Sequence, residues 1–373
     1  MAGLSYINFL PGVVAALAGG VGFSDPEAGQ LVAFNGYGGL VGSIAAIFLV
    51  RRINWRRAMF TLLAVLTVID LGTVSIDGYG IMLGWRFLAG VVGGLCVGIA
   101  FSVLARLNNP DRAFGTLLFV QFSVGSLVIY LLPGLETLLS AHAVFYIMAS
   151  LALLALVFLL LLPDIPLSKR SIKQSVPFFG LFGNTLLLLL AIILYQCAAS
   201  AIWAYVGLIG LGANFSVDSV SAYIATTGLL GLLGAMLPVI SGNRFGRLYW
   251  LVAGVALSIM AAMLLSFSPL TPLLYVSSMA LLFFSWPAVQ SYLLSITAEI
   301  DRSGQLSTIA AVVSSVGLAS GPLLASSLLD KGNFSVMLYT CAMIFLSSFF
   351  LLFKPVRALE KGEAVALSSQ CRS

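Results

Sequence analysis

The chain has 373 residues, of which 60% are hydrophobic and only 8% charged, with a mean hydropathy of +1.09. A soluble globular chain carries about 25% charged residues, so this one cannot cover a water-facing surface; it reads as an integral membrane protein, a helical bundle and not a barrel. The net charge of +5 does not indicate a nucleic-acid partner, because the basic residues gather at the ends of apolar segments, where they set orientation.

A membrane-spanning helix needs about 20 apolar residues, and twelve such segments fit the chain: 4–21, 29–50, 57–76, 80–106, 112–133, 140–162, 180–209, 218–241, 247–267, 271–299, 303–329 and 334–354. The first has almost no leader, as a late or truncated start would, and no cleavable signal is evident. Residues 1–163 and 179–354 are expected to form two six-helix bundles, joined by a polar connector at 164–178 and followed by a tail at 355–373. Sixteen of the 18 Lys and Arg residues lie in one set of loops and in the tail, and only Lys331 lies in the opposite set. The positive-inside rule then puts both termini and the connector in the cytoplasm.

Two stretches show an internal repeat. The second segment carries glycines at 36, 39 and 42 and runs into Arg51, Arg52, Arg56 and Arg57. The eighth carries glycines at 228, 231 and 234 and runs into Arg244 and Arg247, so each glycine recurs 192 residues later, as does Arg52 at Arg244. Asp111-Arg112 opens the fifth segment and Asp301-Arg302 the eleventh, which repeats the same order. Glycines on one helix stripe let a second backbone approach closely, which is how helices associate in lipid. The chain therefore reads as two copies of one bundle with the same topology.

Ionisable residues inside the spans are few, which makes each informative. Asp70 and Arg86 lie on consecutive segments at similar depth, at about 1.5 Å rise per residue, and are expected to pair. The pair either pins the third and fourth spans together or lets Arg86 tune Asp70 as a proton carrier. Gln121 is central on the fifth segment, Gln196 lies near the middle of the seventh, with Tyr195, Ala199 and Trp203 spaced i, i+4, i+8 on that helix, and Trp286 and Gln290 share one face of the tenth at similar depth. These amides either hydrogen-bond between helices or line a cavity. Glu299 and Asp301 read as solvated or paired with Arg302, and His142 as an interface histidine.

The cysteines at 96, 197, 341 and 371 have no paired spacing, and no metal-binding cluster is present. No phosphate-cradling loop with a following Lys-Ser or Lys-Thr appears, so ATP is not expected to drive the protein directly. A cofactor is not expected. An intramembrane enzyme is disfavoured by the lack of a nucleophile–base or metal set.

Twelve segments in a six-plus-six order, with basic glycine-exit loops after the second and eighth, resemble the major facilitator superfamily (MFS). The loop signature of that family has an Asp-Arg-x-Gly-Arg core. The second copy here reads Asn243-Arg244-Phe245-Gly246-Arg247, while the first, with Arg52 and Arg56, lacks the acid and the glycine. Arg86-Phe87-Leu88-Ala89-Gly90 is similar to the family's Arg-x-x-x-Gly helix signature. Of the antiporter-type glycine-proline pattern, Gly125 and Pro133-Gly134 remain in the fifth segment, and Gly317-x-x-x-Gly321-Pro322 stands in the eleventh.

The resemblance, nearest to small-solute or drug efflux permeases, implies a gating role for Arg52, Arg56, Arg244, Gly246 and Arg247 and a coupling role for Arg86. It places the first, fourth, seventh and tenth spans around a central cavity, so that Gln196, Trp203, Trp286 and Gln290, with Gln121, would line it. It implies a monomeric secondary transporter in a plasma membrane of the bacterial inner-membrane kind, embedded in lipid, exporting a small organic solute against protons. An importer or uniporter of the same fold, or a membrane sensor or scaffold without transport, are the alternatives.

Overall fold

A computed structural model describes residues 2–49, 54–104, 110–162, 183–241, 246–300, 305–329 and 334–370. Among these residues there are helices and no strands. The chain opens with a short turn at Ala2–Leu4, then α1 (Ser5–Asn8) and α2 (Leu10–Ala15), which runs into a π-type turn at Ala16–Val21. It continues as α3 (Asp25–Leu49), α4 (Trp55–Thr73), α5 (Tyr79–Leu104), α6 (Pro110–Leu139) and α7 (Ala143–Leu161). The second half holds α8 (Asn184–Gly212), α9 (Val217–Gly228), α10 (Leu230–Ser241), α11 (Arg247–Leu265), α12 (Pro272–Ile300), α13 (Gln305–Leu328) and α14 (Ser335–Gln370).

Among the described residues nine helices are long and apolar enough to cross a membrane, and the bent opening pair makes a tenth. With α3 and α4, of 25 and 19 residues, the succession is compatible with the twelve expected spans. α4 contains Arg56, Arg57 and Asp70, which lowers its apolar character. The surface agrees with a lipid environment: large apolar side chains such as Leu138, Leu161, Phe48 and Phe350 stand exposed, a pattern that water would penalise.

Two elements differ from the sequence expectation. The first span is not straight: Ala2–Asn8 and Leu10–Val21 meet at a bend of 68°, because Pro11 near the start of α2 has no N–H to continue the ladder from α1. At the other end, the helix does not stop at Lys354 to leave a separate tail; α14 runs on to Gln370. The residues beyond Arg357 are rich in Ala, Leu, Glu and Lys, all strong helix formers.

The helices pack in matching pairs. α3 lies along α5 as α10 lies along α12, and α4 lies on α7 as α11 lies on α14. Between the halves, α3 meets α13, α6 meets α9, and α2 meets α8. The repeated glycines permit several of these close contacts. A Cβ on Gly42 would run into the carbonyl of Val91 on α5, and one on Gly234 into the carbonyl of Phe284 on α12. Gly36 faces Ala319 of the other half, where a Cβ would come within 2.9 Å, and Gly228 faces Ser126 of the other half at 3.2 Å.

Helix ends are capped by their own sequence. Ser24 and Glu27 form a capping box at the start of α3: the Ser24 N–H and hydroxyl donate to Glu27 Oε2 at 2.9 and 2.8 Å. Those two bonds hold the Glu27 carboxyl below its usual range. Asn54 Oδ1 accepts from the N–H groups of Arg56 and Arg57 at 3.0 and 3.4 Å, which starts α4.

Candidate functional site

Asp70 and Arg86, from α4 and α5, are brought together in a buried polar cluster. Arg86 Nη1 donates to Asp70 Oδ1 at 3.3 Å and to Thr73 Oγ1 at 3.0 Å, and Nη2 donates to Asn35 Oδ1 at 3.0 Å. Thr73 follows Asp70 by three residues, so both point from one face of α4. The guanidinium carbon lies 5.0 Å from the ring centre of Tyr6 and 5.3 Å from that of Phe145, which offers cation–π attraction in place of water. Both charged side chains are fully buried, and a charge in such a place must be paired and hydrogen-bonded to persist. Asp70 Oδ2, Arg86 Nε and the Tyr6 hydroxyl have no hydrogen-bond partner among the described residues. The cluster borders a cavity of about 240 Å³ that also takes in Ser200, Trp203 and Leu318 from the second half.

A second cavity, of about 230 Å³, is lined by Gln121, Gln196, Trp203, Trp286 and Gln290 together with Asn8, Phe122 and Phe283. Its amides are linked to one another. Gln196 Nε2 donates to Ser314 Oγ at 2.7 Å, Gln290 Nε2 donates to the same oxygen at 3.0 Å, and Trp286 Nε1 donates to Gln196 Oε1 at 2.5 Å. Gln121 Nε2 donates to Asn8 Oδ1 at 2.9 Å, which ties α6 to the first span. The two readings of these glutamines therefore hold together: they bond between helices and they line a cavity. Gln290 Oε1 is buried without a hydrogen-bond partner among the described residues. An apolar, aromatic wall with a few polar atoms suits a small organic ligand.

Arg52 and Arg244 lie outside the described residues. Arg56 Nη2 donates to the carbonyls of Leu159, at 3.1 Å, and Leu162, so its charge caps the C-terminal end of α7. Gly246 precedes α11 with φ at +81°, a conformation that favours glycine. Arg247 is the first residue of α11.

Tyr6, Asn8, Asn35, Thr73 and Ser314 join these clusters without having been singled out in the sequence. Asn35 carried a readable signal, being an amide within an apolar segment; the others are common helix residues whose role depends on what faces them.

The arrangement defines a polytopic helical membrane protein with a pair of cavities between two halves. The family model of the Major Facilitator Superfamily matches residues 1–284 and again 188–369. The chain belongs to that superfamily of transporters. Among curated proteins no sequence relative matches. Among solved structures, a single-residue variant of the nucleoside transporter NupG is 13% identical with a TM-score of 0.79, over 95% of this chain and 96% of that one. A D-xylose-proton symporter is 18% identical with a TM-score of 0.72, over 94% and 95%. A bacterial homologue of the human lysosomal transporter Spinster, inward-facing and unoccupied, is 14% identical with a TM-score of 0.66, over 95% and 93%. At these identities the likeness is one of fold.

Proposed function

We propose that the chain is a secondary active transporter that exports a small organic solute by alternating access, with protons as the coupling ion. Residues 1–163 and 179–354 rock against each other about the two cavities, in a bacterial inner membrane with both termini cytoplasmic. The observation that carries this reading is the buried Asp70–Arg86 pair at the edge of a cavity shared by both halves. A carboxylate in that position can exchange a proton with solvent entering the cavity, and Arg86 changes its hold on Asp70 when the proton arrives. The amide and tryptophan cavity beside it supplies the solute contacts.

The half-to-half contacts support a particular state. Tyr205 donates to the carbonyl of Asp25 at 2.8 Å, and Tyr37 and Ser320 hydroxyls meet at 3.0 Å. Asp25 and Tyr205 lie toward the helix ends that the charge bias places outside, and Tyr37 and Ser320 near the middle of α3 and α13, so closure from the outer end to mid-depth supports a cytoplasm-facing form.

Transport in proteoliposomes with an imposed pH gradient, screened over a panel of small organic compounds, tests the proposal. Solute movement opposite to the proton gradient is expected, and should vanish when the gradient is collapsed. Solute moving together with protons would replace export by symport, and indifference to the gradient would remove the proton.

A further inference from the structure

The bend in the first span leaves a chemical problem that the other half solves. Pro11 has no N–H, so the carbonyl of Ile7, four residues earlier, lacks the usual helical donor. Ile7 lines the cavities and is partly exposed to them, and a carbonyl left unpaired between helices is unfavourable until a donor reaches it. The donor comes from α8: Trp203 Nε1 donates to the Ile7 carbonyl at 2.9 Å. The indole is only 8% exposed and is braced edge-on by Phe283, with ring centres 5.1 Å apart. One turn further along α8, Gly207 faces Pro11 itself, with a Cβ-position contact of 3.8 Å. Pro11 and Trp203 also stand 192 residues apart, the spacing that relates the repeated glycines. They hold equivalent places on the first helix of each half.

The location of this bond gives it a consequence. Ile7, Trp203 and Leu318 each line both cavities. The indole therefore stands in the wall between the chamber of the Asp70–Arg86 pair and the chamber of the glutamines.

We propose that Trp203 is a specificity-determining septum, anchored to the carbonyl that Pro11 releases. It keeps the solute chamber apart from the ion pair and admits only a solute that fits one chamber, a compact neutral organic molecule. This rests on the transport reading above, but its test does not depend on transport, so the two can fail separately.

The full chain in lipid vesicles is used for both arms. In the first, Ser126→Cys reports on the glutamine chamber. It is treated with a small methanethiosulfonate and with one carrying fluorescein, and labelling is read at residue 126 by peptide mass. Trp203→Ala should raise the ratio of bulky to small labelling several-fold, whereas Trp203→Phe, which keeps an aromatic ring at the position, should raise it much less. An unchanged ratio in Trp203→Ala would overturn the septum; should that variant not fold, Trp203→Leu serves in its place.

In the second arm, Trp203→Phe removes the N–H together with part of the indole's bulk and should lower the thermal midpoint by several degrees; the bulk is lost equally in any background, the bond is not. Pro11→Ala restores a helical donor to Ile7, so the same Phe substitution in that background should have a clearly smaller effect. Equal losses in the two backgrounds would show that the anchor is not the bond described.

Discussion

Arg86 shows how a charge is kept inside a membrane span. Its donors are shared among Asp70, Thr73 and Asn35, so no single partner carries the whole burden. Asp70→Asn should still fold poorly, because an unpaired cation in a span is unfavourable by about 2.5–3.5 kcal/mol on insertion scales. Exchanging the two residues, Asp70→Arg with Arg86→Asp, should recover thermal stability but not gradient-driven transport, since the acid then opens to a different path. Recovery of both activities in vesicles would make the pair purely structural. Asn35 offers a separate check. Asn35→Ala leaves Arg86 Nη2 without its acceptor and should lower stability by about 1–3 kcal/mol, read as a shift of the unfolding midpoint.

At the scale of elements, the repeated glycines divide into two kinds. Gly42 and Gly234 face backbone carbonyls of the neighbouring helix within their own half. A backbone cannot rotate away as a side chain can, so Gly42→Val and Gly234→Val are expected to give aggregated protein on size-exclusion chromatography. Gly228 faces the Ser126 hydroxyl at 3.2 Å, which can turn aside. Gly228→Ala should therefore yield monodisperse protein, and its effect should appear in transport rate, because that contact lies between the halves. If Gly228→Ala is as disruptive as Gly234→Val, this division of roles is wrong. Arg56 belongs to the same scale: it ties the start of α4 to the end of α7, a packing task within one half.

For the whole molecule, the two-half design has a topological consequence. The connector at 164–178 and the chain end should both face the cytoplasm, because sixteen basic residues gather on that side. Tags placed at residue 170 and after residue 373 should both be protected from impermeant reagents in intact cells and become reactive on permeabilisation. Reaction of either tag in intact cells would invert the assignment of which side the structure faces.

Much of this was legible in the residues alone, for a physical reason. Membrane insertion depends on local composition, helix orientation on loop charge, and close helix packing on glycine spacing, all of which are written along the chain. The depth match of Asp70 and Arg86 followed from the rise of a helix, and their scarcity in apolar spans marked them. What needed the tertiary structure was the set of partners from distant helices. Nothing local tells Tyr6 or Asn35 that it will face Arg86, or Ser314 that two glutamines will converge on its hydroxyl. The bond from Trp203 to Ile7 is of the same kind. Pro11 announces an orphaned carbonyl in the sequence, but only the packing of α8 against the bend decides which indole satisfies it, because that choice depends on where two helices 196 residues apart in the chain come to rest.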